Sequence, residues 1–133
     1  MPSRALWVGL GFQKGMPATA LLQGVQQVFR VYALDWDAIA GIATLAHKTC
    51  EPSLVNLCQQ QQWQLLSFSA PQLKTVSVPH SSRRVATAMG TPSVAEAACL
   101  LATHQGQLIV PKQILQTPFG AMTTAVAEIN SLG

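Results

Sequence analysis

Two hydrophobic patterns take turns along this chain: short continuous apolar runs, and longer stretches whose apolar positions recur three and four apart. Residues 5–8 (Ala-Leu-Trp-Val) form such a run, ended by Gly9-Leu10-Gly11, and read as a buried strand entering a turn. From about Pro17 to about Tyr32 the period lengthens, placing Leu21, Leu22, Val25, Val28 and Phe29 on one face of a helix. Residues 35–39 read as a capped single turn leading into a second strand over 41–46. Pro52 suits the first position of a second helix, which continues through Leu54, Val55, Leu57 and Cys58. Residues 63–68 predict a third strand, 69–73 a capped helical turn, and 83–89 one or two further turns.

The sharpest helix start is Gly90-Thr91-Pro92-Ser93, and the helix runs to about Thr103 with Val94, Ala97, Ala98, Leu101 and Ala102 on its apolar side. Either Thr91 caps it with Pro92 following, or Ser93 caps it and Glu96 reaches back as a capping box. Residues 107–110 predict a strand closed by Pro111-Lys112, residues 113–120 a loop, and residues 122–129 the last strand. Strands alternating with helices, then strand-loop-strand, imply a single α/β domain over 1–133 with a mixed, mostly parallel sheet.

Composition narrows the function. At 133 residues and 49% hydrophobic content there is enough apolar material for one core. Only 10% of residues are charged, so part of the exterior is expected to be covered by a partner or a second copy, or built from Gln, Ser and Thr. Eight basic against five acidic residues give a net charge of +3, scattered singly except at Arg83-Arg84. That is unlike a nucleic-acid binder, which gathers its basic residues in a stripe, and it fits a small acidic ligand. Three cysteines, Cys50, Cys58 and Cys99, follow no CxxC spacing, and His47 with Cys50 and Cys58 matches no ligand pattern. No disulfide framework, metal or cofactor is expected. The first residues turn glycine-rich before a signal core forms, and no apolar run approaches a membrane span, so a cytoplasmic, soluble protein with no membrane partner is expected.

Candidate chemistry concentrates after the strands. Gly9, Gly11 and Gly15 have GxGxxxG spacing, which is neither the dinucleotide fingerprint nor the P-loop, yet such a turn lets a backbone approach a ligand, with Lys14 adding charge. His47, Lys48, Cys50 and Glu51 gather at the end of the second strand, where open α/β sheets bind ligands. Lys48 and Glu51 are the catalytic candidates, as oxyanion stabiliser and general base. The helix start at 90–93 offers free N–H groups and partial positive charge to a carboxylate or phosphate. His80 falls in a loop, where a histidine is ordinarily solvated, and Arg83-Arg84 suits either ligand carboxylates or solvent.

Gly9-Leu10-Gly11 with Gly15, Lys48 with Glu51-Pro52, the run Gly90-Thr91-Pro92-Ser93-Val94-Ala95-Glu96-Ala97-Ala98, Val110-Pro111-Lys112 and Thr124-Ala125-Val126-Ala127 together resemble one family. It is the CobE family, equivalent to the C-terminal domain of CbiG, in cobalamin biosynthesis. The resemblance spans nearly the whole chain and is most specific in the GTPSVAEAA run followed by VPK. The resemblance implies a single three-layer α/β/α domain that binds or acts on corrin-ring intermediates. The full CbiG chain opens a lactone on cobalt-precorrin-5A with release of acetaldehyde, and this chain resembles only its C-terminal part. CobE proteins belong to the aerobic branch. Where the family often has a Cys and two basic residues after the first GxG, this chain has Phe12, Gln13 and Lys14; where acidic residues are common, it has Ala46 and Cys50. No catalytic role is carried to those positions.

A carboxylate-rich tetrapyrrole needs dispersed positive charge and backbone donors more than one strong base. The expected binding set is Gly9, Gly11, Lys14, Gly15, Lys48, Glu51, Gly90, Thr91, Pro92, Ser93 and Lys112, lining one pocket. A lactone hydrolase and a docking subunit for a pathway methyltransferase are the competing expectations.

Overall fold

A computed structural model of the chain describes residues 5–12, 15–45, 51–74, 94–104 and 106–129. In order they form β1 (Leu6–Phe12), α1 (Ala18–Val31), a 3-10 turn (Trp36–Ala38), β2 (Ile39–Leu45), α2 (Pro52–Gln61) and β3 (Gln64–Phe68). Then come α3 (Ala70–Lys74), α4 (Val94–Ala102), β4 (Gln107–Thr117) and β5 (Gly120–Glu128). The five strands make one sheet in the order β3-β2-β1-β5-β4. β1 pairs parallel with β2 and β2 with β3, whereas β5 runs antiparallel to both β1 and β4. The sheet is therefore mixed, with its parallel part at β1, β2 and β3.

Helices cover both faces, and the alternation of side chains along each strand separates two cores. Val8, Leu10, Ile42, Met122 and Val126 point to the face where α1 contributes Leu21, Val25, Val28 and Phe29, and α2 contributes Leu54, Leu57 and Cys58. Trp7, Ala43, Ala125 and Ala127 point the other way, toward Ala95, Ala97, Ala98 and Cys99 of α4. β1 is buried on both faces because it is central and doubly covered, which explains its unbroken apolar run. The small side chains of α4 allow its backbone to press close to the strands.

Local chemistry sets the boundaries. Asp35 caps the 3-10 turn, its Oδ1 accepting from the Asp37 amide at 3.0 Å. Trp36 then packs edge-on against Phe29 and Trp63, with ring centroids 5.5 and 5.3 Å apart. Ser69 and Gln72 form a reciprocal capping box before α3, at 2.8 and 3.3 Å. α2 opens with Pro52 and closes at Gln62, which adopts the left-handed conformation at φ 61°. The predicted turns at 83–89 lie outside the described residues.

Two expectations are corrected. β1 does not end at Val8; it continues through Gly9 and Gly11 to Phe12. Those glycines serve close packing inside a strand rather than a change of direction. Nor is β4 closed by Pro111, and residues 113–120 are not a loop. β4 lies at an edge of the sheet, where a proline fits, and the register shift between Val110 and Gln113 accommodates its missing donor. The strand then runs to Thr117 and turns back through Pro118-Phe119, with Thr117 Oγ1 donating to the Gly120 carbonyl at 2.7 Å and accepting from the Phe119 amide at 3.0 Å.

Candidate functional site

α4 is laid directly on β1. A Cβ added to Gly9 would collide with the Ala95 carbonyl, so the absence of a side chain is what permits this approach. The helix ends near Gly106, which sits against Glu128, itself paired with Leu6 at the start of β1. α4 therefore runs back along β1, and its N-terminal end lies toward the carboxyl ends of β1 and β2. Side-chain hydroxyls finish β1 there: Thr44 Oγ1 donates to the Leu10 carbonyl at 2.7 Å, and Thr123 Oγ1 to the Gly11 carbonyl at 3.4 Å.

Glu96 links the helix to the edge strand. It is only 3% exposed, and its Oε2 accepts a hydrogen bond from the Lys112 amide at 2.9 Å. That bond fixes the bulged Val110-Pro111-Lys112 stretch of β4 beside the first turns of α4. Behind it, the Cys99 thiol donates to the Glu96 carbonyl at 3.3 Å. Burial, reinforced by the Glu96 carboxylate, pushes the Cys99 thiol far up, and burial pushes Cys58 up to about 11. Both stay protonated near neutral pH, which makes them poor nucleophiles and metal ligands.

The predicted residues fall into three groups. Gly9 and Gly11 share the α4 face of β1, and Lys112 is tied to that helix through its amide. Lys112 stands within β4 rather than at a strand end, which corrects the sequence expectation for the same reason as at Pro111. Gly15 is exposed in the turn before α1 at φ 90°, a conformation natural to glycine. Glu51 starts α2, its carbonyl accepting from the Leu54 and Val55 amides at 3.1 Å each, and α2 packs on the opposite face of the sheet. Lys14, Lys48, Gly90, Thr91, Pro92 and Ser93 lie outside the described residues, as do His47, Cys50, His80, Arg83 and Arg84.

Glu96, which sequence reasoning assigned only to capping, is the side chain that ties α4 to β4. Its signal was present: it is the sole charged residue between Pro92 and Thr103, set among alanines on both sides. In the first turn of α2, Ser53 Oγ is buried with no hydrogen-bond partner among the described residues. No group of three metal-ligating side chains gathers among the described residues, and no helix among them is long and apolar enough to cross a membrane. A depression of about 330 Å³ lined by Gln26, Phe29, Arg30, Leu34 and Trp36 opens at the amino end of β2, away from the start of α4.

Residues 6–127 match the family profile described as cobalamin synthesis G C-terminus. No curated protein sequence matches the chain. Among solved structures, it is similar to CobE, a protein from the cobalamin (vitamin B12) biosynthetic pathway, with 20% identity, 92% of each chain covered and a TM-score of 0.77. It is similar also to the cobalamin biosynthesis protein chiG from Agrobacterium tumefaciens str. C58, at 25% identity over 95% of this chain and 98% of that one, with a TM-score of 0.69. A cobalamin biosynthesis protein G homolog from Sulfolobus solfataricus aligns with 95% of this chain at 18% identity and a TM-score of 0.72. This chain covers 37% of that longer protein.

Proposed function

The chain belongs to the cobalamin synthesis G C-terminus family, as a cobalamin biosynthesis protein of the CobE/CbiG C-terminal type, and on that footing we propose that it binds or carries a carboxylate-rich precorrin or corrin intermediate. The observation that carries the reading is the bond from the Lys112 amide to Glu96. It joins the two most specific motifs of the chain, GTPSVAEAA and VPK, at the carboxyl-end side of a sheet where α/β folds receive ligands. The helix start brings partial positive charge and backbone donors; Lys112, Lys14 and Lys48 supply the dispersed cations that several acetate and propionate groups require. We assign Gly11, Gly15, Gly90, Thr91, Pro92 and Ser93 to the same proposed site, with Glu51 on its α2 side, whereas Gly9 lies under α4 and serves the packing of that helix.

Titration of the purified protein with hydrogenobyrinic acid, followed by visible absorbance and gel filtration, tests this. Saturable spectral change with co-elution is expected, and Lys112→Ala should weaken it by about tenfold, the scale of one charge-assisted contact. No spectral change and no co-elution would remove the binding role. The hydrolase alternative has less support: among the described residues no hydrogen bond orients the Glu51 carboxylate, and a general base needs such positioning. Acetaldehyde release from cobalt-precorrin-5A would favour it over carriage.

A further inference from the structure

β4 occupies one end of the sheet order, and its outer side pairs with no other described strand. It is long for an edge, eleven residues, and it carries apolar side chains outward: Ile114 is 59% exposed and Phe119 in the adjoining turn 57%. Beside it, at the end of α1, Val31 is 72% exposed, and Tyr32 is also exposed. A cleft of about 50 Å³ lined by Gln27, Val28, Val31, Tyr32, Gln113 and Leu115 makes helix end and strand one continuous surface. Proteins usually blunt such an edge with charge, shortness or proline. Here residues 113–120 contain no charge, and the two prolines stand at the bulge and in the turn.

We propose that two copies of the chain pair through β4, antiparallel and edge to edge, about a two-fold axis at Leu115. The hairpin closed at Thr117–Gly120 turns the backbone of Gln113, Leu115 and Thr117 toward β5, leaving the N–H and C=O groups of Ile114 and Gln116 directed outward. An axis at Leu115 sets Ile114 against Gln116 of the second copy, outward group facing outward group, so the free donors and acceptors satisfy one another. Leu115 then meets its own symmetry mate on the α1 face, flanked by Val31 and Tyr32 from both copies. Charge selects this occupant over a charged partner. Residues 113–120 carry no charge that would single out an acidic or basic peptide, and a second copy brings the same uncharged, apolar edge, so self-pairing sets no like charges against each other along this stretch. In this register Lys112 lies opposite Pro118 of the second copy, and the two lysines stand roughly 20 Å apart along the strands. The inference rests on β4 and α1 alone and does not depend on the ligand proposed above.

Sedimentation of the full chain should give twice the 14.2 kDa chain mass at micromolar concentration. Ile114→Lys and Gln116→Pro should each shift it to the single-chain mass with the circular dichroism spectrum unchanged. Leu115→Cys should form an intermolecular disulfide beyond any seen in the wild type, because a non-hydrogen-bonded antiparallel pair brings Cα atoms to about 4.5 Å. If the two edge variants fail to fold, the crosslink decides alone. A single-chain mass for the wild type overturns the proposal, as does a dimer in which Leu115→Cys forms no crosslink.

Discussion

At the scale of single residues, Gly9 and Glu96 set how α4 sits. Gly9→Ala would push a methyl group into the Ala95 carbonyl, and relieving it means lifting the helix from β1. A loss of about 2 kcal/mol is expected from such overpacking, read as a lower urea midpoint. Glu96→Ala strands the Lys112 amide and should cost about 2 kcal/mol, with Glu96→Gln losing less because it keeps an acceptor. Protonation gives a further check. Burial raises the Cys58 thiol from its ordinary 9.0 to about 11, so the folded chain retains a proton that the unfolded chain has lost. Its contribution to stability is complete below pH 9 and fades as pH climbs toward 11. Cys99 acts in the same direction. Melting temperature should therefore fall across that window, and a melting temperature that rises there would contradict the buried thiols. Gly9 was visible in the sequence, but a glycine that admits a helix and one that makes a turn look alike before the partner is known. The partner of Glu96, sixteen residues on, carries no local signal.

At the scale of elements, legibility followed how far each depends on its own residues. The apolar face of α1, the Asp35 cap and the Ser69–Gln72 capping box are local, and each was readable. β4 was not, because Pro111 within it and Pro118 just past its end mimic breaks and its alternation is hidden: Ile114 is exposed and Gln113 half-buried, opposite to their polarity. Only the pairing with β5 shows that the segment is extended. The clasp at its tip is testable. Thr117→Ala removes both hydroxyl bonds of the turn and should lower stability by about 1 kcal/mol, with faster amide exchange at residues 115–122. Unchanged exchange there would mean that the turn holds without the hydroxyl.

At the scale of the whole molecule, the alternation of strands and helices specified a mixed α/β sheet, and the motif order specified the family and, with it, the layers. The site was legible only as a list of residues, since which faces and ends they share is fixed by topology. Gly9, Gly11 and Lys112 come together around α4, while Glu51 belongs to the helix across the sheet. In the proposed arrangement the macrocycle lies over the carboxyl ends of β1 and β2, with its carboxylates reaching both groups. A structure of the protein bound to hydrogenobyrinic acid tests this most directly. The account predicts the ring over those strand ends, with carboxylates at the start of α4 and at Lys112. A ring seated in the depression around Phe29 and Trp36, or elsewhere away from α4, would contradict it.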